Sequence, residues 1–152
     1  MLEYQPQDSA LTLAEGYAAY RAANPNLLDG IDPEGRSFFR SHDLVHVIFG
    51  CSTDLLNEAM ADSWTLFGTT VGFSQFLAFL KLEDHKQLIR EVGLPKAIVT
   101  FLRAIPLMVR IFFRSRRMNQ KWPWRGYDAY LDILLKAIRN EFGIQVLYRG
   151  TK

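Results

Sequence analysis

Two histidines, His42 and His46, stand four residues apart with Asp43 between them, and Glu58 follows after eleven intervening residues. On a helix, residues four apart lie one turn above each other on the same face. Both imidazoles then point the same way, and Asp43, three residues before His46, reaches the edge of that face. Gly50 can end this helix by taking the left-handed conformation at no steric cost, and Ser52 or Thr53 is placed to cap the next one. If the second helix returns antiparallel, His46 lies about 6 Å before the turn and Glu58 about 8 Å after it, at 1.5 Å per residue. Two imidazoles and two carboxylates then converge on one point, which is the chemistry of a divalent-cation site. The donors are nitrogen and oxygen only, a set that suits zinc, ferrous iron or manganese. Asp43 serves either as fourth ligand or as an outer carboxylate fixing an imidazole's tautomer. The competing possibility is an amphipathic helix whose histidines are satisfied individually. Against it, the chain has three histidines in all, and two of them share one turn with an aspartate.

The pattern His42-Asp43-x-x-His46, eleven residues, Glu58 resembles the motif of the coenzyme Q biosynthesis protein 4 family. The stretches Thr53 to Ala59 (TDLLNEA) and Arg139 to Ile144 (RNEFGI) are also similar to that family. The likeness runs from about Asp8 to Tyr148, and only the metal motif is specific. It implies a role in making the lipid quinone ubiquinone, with His42, Asp43, His46 and Glu58 as metal ligands and catalytic residues. The implied reaction is an oxidative decarboxylation, in which the ring carboxylate of a prenylated hydroxybenzoate is replaced by hydroxyl. Members are also viewed as organisers of a biosynthetic complex, so other quinone-biosynthesis enzymes join the expected partners.

The elements that must position this motif read as helices. Residues from about Asp8 to Ala23 form a first helix, with Thr12 and Glu15 as a capping box and Leu11, Ala14, Ala18 and Ala22 as a narrow apolar stripe. Asn24-Pro25 stops it. Asp32-Pro33 reads as a cap with proline at the first helical position, Gly35 as a candidate start of the helix proper, and Phe38, Phe39, Val45 and Ile48 as the apolar body of the histidine helix. No charge occurs from Ser63 to Leu80, but Gly68, Thr69, Thr70, Gly72, Ser74 and Gln75 dilute the run, so it predicts two helices broken at Gly68–Gly72 rather than a membrane span. Phe73, Phe76, Leu77 and Leu80 recur at helical spacing, as a buried core face that can double as a pocket for a lipid chain. Leu82 to Val92 reads as a short charged helix whose His85 faces solvent.

A helix kinked at Pro106 follows from Lys96 to Met118, with Phe101, Leu102, Ile105, Val109 and Phe112 on its apolar side. Arg103, Arg110, Arg114 and Arg117 are spaced seven, four and three, one basic stripe, and no acid occurs between Glu91 and Asp128. Trp122 and Trp124 come next. Such a stripe beside tryptophans suits an anionic membrane surface, at about 1 kcal/mol per near-surface basic residue. An acidic protein partner and a plain solvated face are the other readings; no recognised motif accompanies it for nucleic acid. The last helix is expected from about Gly126 to Phe142, burying Tyr127, Tyr130, Leu131, Leu134, Leu135 and Ile138, with Gly143 as its stop.

These elements sum to an all-α chain of six or seven helices with the motif on a helix hairpin. At 152 residues the length is that of one domain. A formal net charge of +2 from 18 basic and 16 acidic residues conceals the polarised distribution. The single cysteine, Cys51, excludes an intramolecular disulfide and fits a reducing compartment. The first residues carry neither a signal-peptide nor a transit-peptide pattern, so a cytoplasmic protein peripheral to a membrane is expected. Three functions fit: a metal enzyme acting on a prenylated aromatic lipid at the membrane surface, a metal-stabilised lipid-binding scaffold without turnover, and a His-Asp phosphohydrolase. The last lacks the additional upstream histidine that class needs. Precursor, metal and oligomeric state stay open, a homo-oligomer included.

Overall fold

Thr12 accepts from the Glu15 amide while the Glu15 carboxylate accepts from the Thr12 amide, and this reciprocal box starts helix α1, Leu13–Ala23. In the computed structural model, which describes residues 1–27, 33–80 and 93–147 (side chains 34, 79, 80, 94 and 97 excepted), five further α-helices follow. They are α2, Pro33–Phe49; α3, Leu55–Gly68; α4, Phe73–Leu80; α5, Leu94–Ser115; and α6, Leu135–Phe142. A 3-10 turn spans Tyr127–Tyr130. The chain is all-helical, as its periodicity requires, and forms one compact domain without strands among the described residues. Leu82 to Val92 and His85 lie outside the described residues.

Helix α1 packs on α2, α2 on α3, and α3 along α5. The buried side of α1 is Leu13, Gly16 and Tyr20, not the alanine stripe; Ala14, Ala18 and Ala22 are exposed. The missing side chain of Gly16 explains why apolar spacing misled: a Cβ there would stand 2.8 Å from Val47 Cγ1 and 3.0 Å from Leu135 Cδ1, so its absence lets α1 approach. The α1 amides of Leu13 and Ala14 are satisfied by the carbonyls of Ile133 and Leu131, and Leu135 donates back to Leu11. This pairing holds Leu134 extended. The predicted Gly126–Phe142 helix is therefore divided into the 3-10 turn and the eight-residue α6, which buries Leu135, Ile138, Arg139 and Phe142, with Leu134 exposed.

Helix α2 begins at Pro33 itself, without a delay at Gly35, and buries Phe38, Val45 and Ile48. The break at Gly68–Gly72 is as expected. It is bridged by Trp122, which donates to Gly68 O at 2.9 Å and accepts from the Thr70 amide at 2.9 Å. Trp124 donates to Thr70 Oγ1 at 2.9 Å and rests on Phe38, with ring centroids 4.8 Å apart. Helix α5 continues through Pro106. No helix among the described residues is long and apolar enough to cross a membrane.

Candidate metal centre

The histidine helix ends as a glycine stop should. Gly50 has φ +70° and donates to Val47 O at 3.3 Å, while Cys51 donates to His46 O at 2.8 Å, the paired bonds of a Schellman turn. Any Cβ at Gly50 would also meet Gln5 O at 2.9 Å. The cap of the next helix is neither Ser52 nor Thr53 but Asp54, which accepts from the amides of Leu56 and Asn57 at 3.2 Å each. Two amides favour a carboxylate over a hydroxyl here. Ser52 donates to Asp54 Oδ2 instead, and Thr53 to Asn24 Oδ1.

The last carbonyls of α2 find a second partner in Arg139 of α6, which is wholly buried. Its guanidinium donates to Ile48 O at 2.9 Å, Val47 O at 3.0 Å and Tyr4 O at 2.7 Å, and also to Pro6 O. A cation at a helix C-terminus meets the negative end of the dipole, and here it also ties the amino-terminal segment to the turn that carries the site. Burial pushes its pKa down to about 10, against Asp8 and Cys51, which pull it up. In the sequence Arg139 stands in the string RNEFGI, and no spacing marks it as a buried cation.

This hairpin brings His42, His46 and Glu58 together, each offering one ligand atom within 4.8 Å of the others. His46 is fully buried, between the Tyr20 ring at 5.2 Å and the His42 ring at 4.9 Å. Its Nδ1 lies 3.0 Å from Ser52 O. A carbonyl can only accept, so Nδ1 carries the hydrogen and Nε2 presents a lone pair in the neutral ring. That Nε2 has no hydrogen-bond partner among the described residues and faces Glu58 Oε2 at 3.4 Å. A lone pair and a carboxylate oxygen so placed repel unless a proton or a metal ion stands between them. Burial lowers the proton affinity of His46, yet Glu58 first, then Asp43 and Asp62, more than reverse that and raise it. The same field attracts a metal cation.

Asp43 lies outside this group of three. It points to α1 and pairs with Arg21 at 3.2 Å. Burial raises the carboxyl's pKa, against the opposing pull of His46, His42 and Arg21. Neither expected position is the one it takes: it is not among the three convergent donors, and its carboxylate meets the Arg21 guanidinium. The residue missed by spacing is Asp62, whose Oδ1 lies 3.3 Å from His42 Nε2. It sits one turn beyond Glu58 on α3, as His42 sits one turn before His46 on α2. The antiparallel hairpin thus pairs two rungs, His46 with Glu58 and His42 with Asp62. A second carboxylate four residues after Glu58 was the available signal. The side chains of Glu58 and Asp62 are each 25 % exposed, so one edge of the cluster opens to solvent. Cys51 takes no part: its buried thiol turns to Phe49 O, and burial pushes its pKa up, away from thiolate. The N and O donor set that can hold a divalent cation is therefore His42, His46 and Glu58.

The other expected sites are rearranged. Phe76 is buried, but Phe73 and Leu77 face outward, so they do not line a shared interior. Helical spacing groups residues on a face without deciding where that face turns. The side chain of Leu80 lies outside the described residues. Arg103, Arg110 and Arg117 are exposed, whereas Arg114 is half-buried and donates to Gln145 O and Val146 O, both at 2.9 Å. Trp122 and Trp124 are core residues, because bridging the α3–α4 break and packing on Phe38 take both rings inside; they do not flank the basic stripe at a surface. No family model matches the chain, and neither a curated protein nor a solved structure is found to match it.

Proposed function

We propose that this chain is a metal-dependent enzyme that replaces the ring carboxylate of a prenylated hydroxybenzoate with hydroxyl. The observation that carries the metal is the buried, unpartnered Nε2 of His46 aimed at Glu58. The reaction class rests on the resemblance of the His-Asp-x-x-His…Glu motif. His42, His46 and Glu58 would hold the cation, which would supply positive charge to orient the substrate carboxylate and, if redox-active, the means to activate oxygen. Ser52 fixes the tautomer of His46 through Nδ1, so Nε2 needs no reorientation on binding. Asp62 holds His42 at the edge where the cluster meets solvent, the side from which a carboxylate can approach. In the overall exchange the ring carboxyl leaves as carbon dioxide. One atom of dioxygen becomes the hydroxyl and the other leaves as water, with two electrons and two protons from an external reductant.

The test supplies purified protein with a prenylated hydroxybenzoate, dioxygen, a reductant and, in turn, zinc, ferrous iron and manganese. Product is followed by mass spectrometry as loss of carboxyl with gain of hydroxyl. Turnover that Glu58→Ala abolishes while lipid binding persists supports the enzyme. Tight lipid binding without turnover under any of the metals would replace the enzyme with a metal-stabilised lipid-binding scaffold. Absence of stoichiometric metal in elemental analysis after incubation with each ion would remove both.

A further inference from the structure

Helix α5 has three faces. Ala104, Leu107, Ile111 and Ser115, spaced three, four and four, turn inward, toward the side on which α3 packs. The large apolar residues turn the other way: Phe101 is 55 % exposed, Leu102 59 % and Phe113 59 %, and Ile105 and Val109 are exposed beside them. At 100° per residue these outward residues form one sector. Arg103 and Arg110 occupy the adjoining sector, with Arg117 just beyond the helix end, all three exposed. Phe73 of α4, 63 % exposed, adds to the apolar residues that the molecule leaves in water. Scattered surface leucines are ordinary; a sector of contiguous aromatic and aliphatic side chains marks a contact surface.

We infer that the outward face of α5 is an interfacial anchor that lies in the plane of an anionic lipid surface, with Phe101, Leu102, Ile105 and Val109 sunk among the acyl chains and Arg103, Arg110 and Arg117 on the headgroups. A helix of 22 residues is about 33 Å long. An apolar face bordered by arginines, where no helix among the described residues is long and apolar enough to cross, is the composition of a helix that lies on a bilayer. Charge decides between occupants. No acid occurs from residue 92 to residue 127, so a second copy docked two-fold on this face would set arginine row near arginine row, whereas anionic headgroups would neutralise both. The inference stands on the exposed face and is independent of the proposed reaction.

The test is cosedimentation of the full chain with vesicles of phosphatidylcholine alone and of equal parts phosphatidylcholine and phosphatidylglycerol. Wild type is expected to partition at least about tenfold more strongly onto the anionic vesicles, with the difference shrinking as salt is raised. R103E/R110E should lose that preference, and F101S/L102S should lose about tenfold on both vesicle types, with both variants retaining the wild-type circular dichroism and melting temperature. Partition that neither variant changes would overturn the assignment. So would absence of vesicle binding together with a sedimenting dimer that F101S/L102S converts to monomer, which would make the face a contact between copies of the chain.

Discussion

The α2–α3 hairpin and helix α5 depart from ordinary soluble packing in opposite directions. The hairpin takes His42, Asp43 and His46 inside, where ionisable groups are costly, and gives each of them a polar contact. The Nε2 of His46 has no hydrogen-bond partner among the described residues, and it faces a carboxylate. Helix α5 leaves Phe101, Leu102 and Phe113 outside, where they gain nothing from the core. A buried polar group and an exposed apolar patch are the two observations that carry information about function, because each costs stability that packing alone would recover. The two regions are joined through α3, which carries Glu58 and packs along α5.

The contrast can be broken first at Arg139. Arg139→Met leaves the carbonyls of Tyr4 and Ile48 without the guanidinium and Val47 O with the Gly50 amide alone, which should cost about 3 kcal/mol or more. Urea unfolding should report it as a lower midpoint at unchanged slope, and metal affinity should fall with it because the α2 turn loses its anchor. Arg139→Lys should recover only a fraction, since one ammonium cannot reach both sides of the turn.

Next in size is the cation itself. Zinc at a hundredfold excess over its dissociation constant should stabilise the wild type by about 2.7 kcal/mol, seen as a raised melting temperature. His46→Ala should abolish the rise while removing a buried ring of the hairpin. An equal rise in the variant would place the ion elsewhere.

The Asp54 cap sets a smaller scale. Asp54→Ala should cost about 1 kcal/mol at neutral pH. Burial alone would raise this carboxyl's pKa, but the bonds from Ser52, Asn57 and Leu56 outweigh it and hold the pKa below its ordinary value. A depressed native pKa contributes stability that is complete above the unfolded value and lost as pH falls through the native one. The gap between wild type and Asp54→Ala should thus stay constant above about pH 4 and close below it. At the small end, F101S/L102S on α5 should change unfolding stability by less than about 0.5 kcal/mol. A larger loss would mean that the outward face packs against the protein after all.

Local spacing determined much of this molecule. The i, i+4 placement of His42 and His46, the stop at Gly50 and the Thr12–Glu15 box depend on bonds within one or two turns, so the chain writes them in adjacent residues. Glu58 was legible for the same reason, because a tight antiparallel hairpin leaves little freedom in where it lands. What spacing could not decide was direction. Helix α5 carries two apolar faces, and the bulkier one has the pattern of a core; the face buried is Leu107 and Ile111 with the small Ala104 and Ser115, because close packing against a neighbouring helix rewards fit over bulk. Asp43 belonged to the cation site by sequence, yet Arg21, distant in the chain and near in space, turned it toward α1. Trp122 and Trp124 suited a membrane boundary until the break after α3 needed a strand-like partner for its amides. Arg139 meets backbone carbonyls from two remote segments, and carbonyls carry no side-chain identity for a sequence to display. Periodicity specified the faces and the ligands; only the assembled helices decided which faces met and which remained outside, because that choice is a sum over packing partners that no single segment contains.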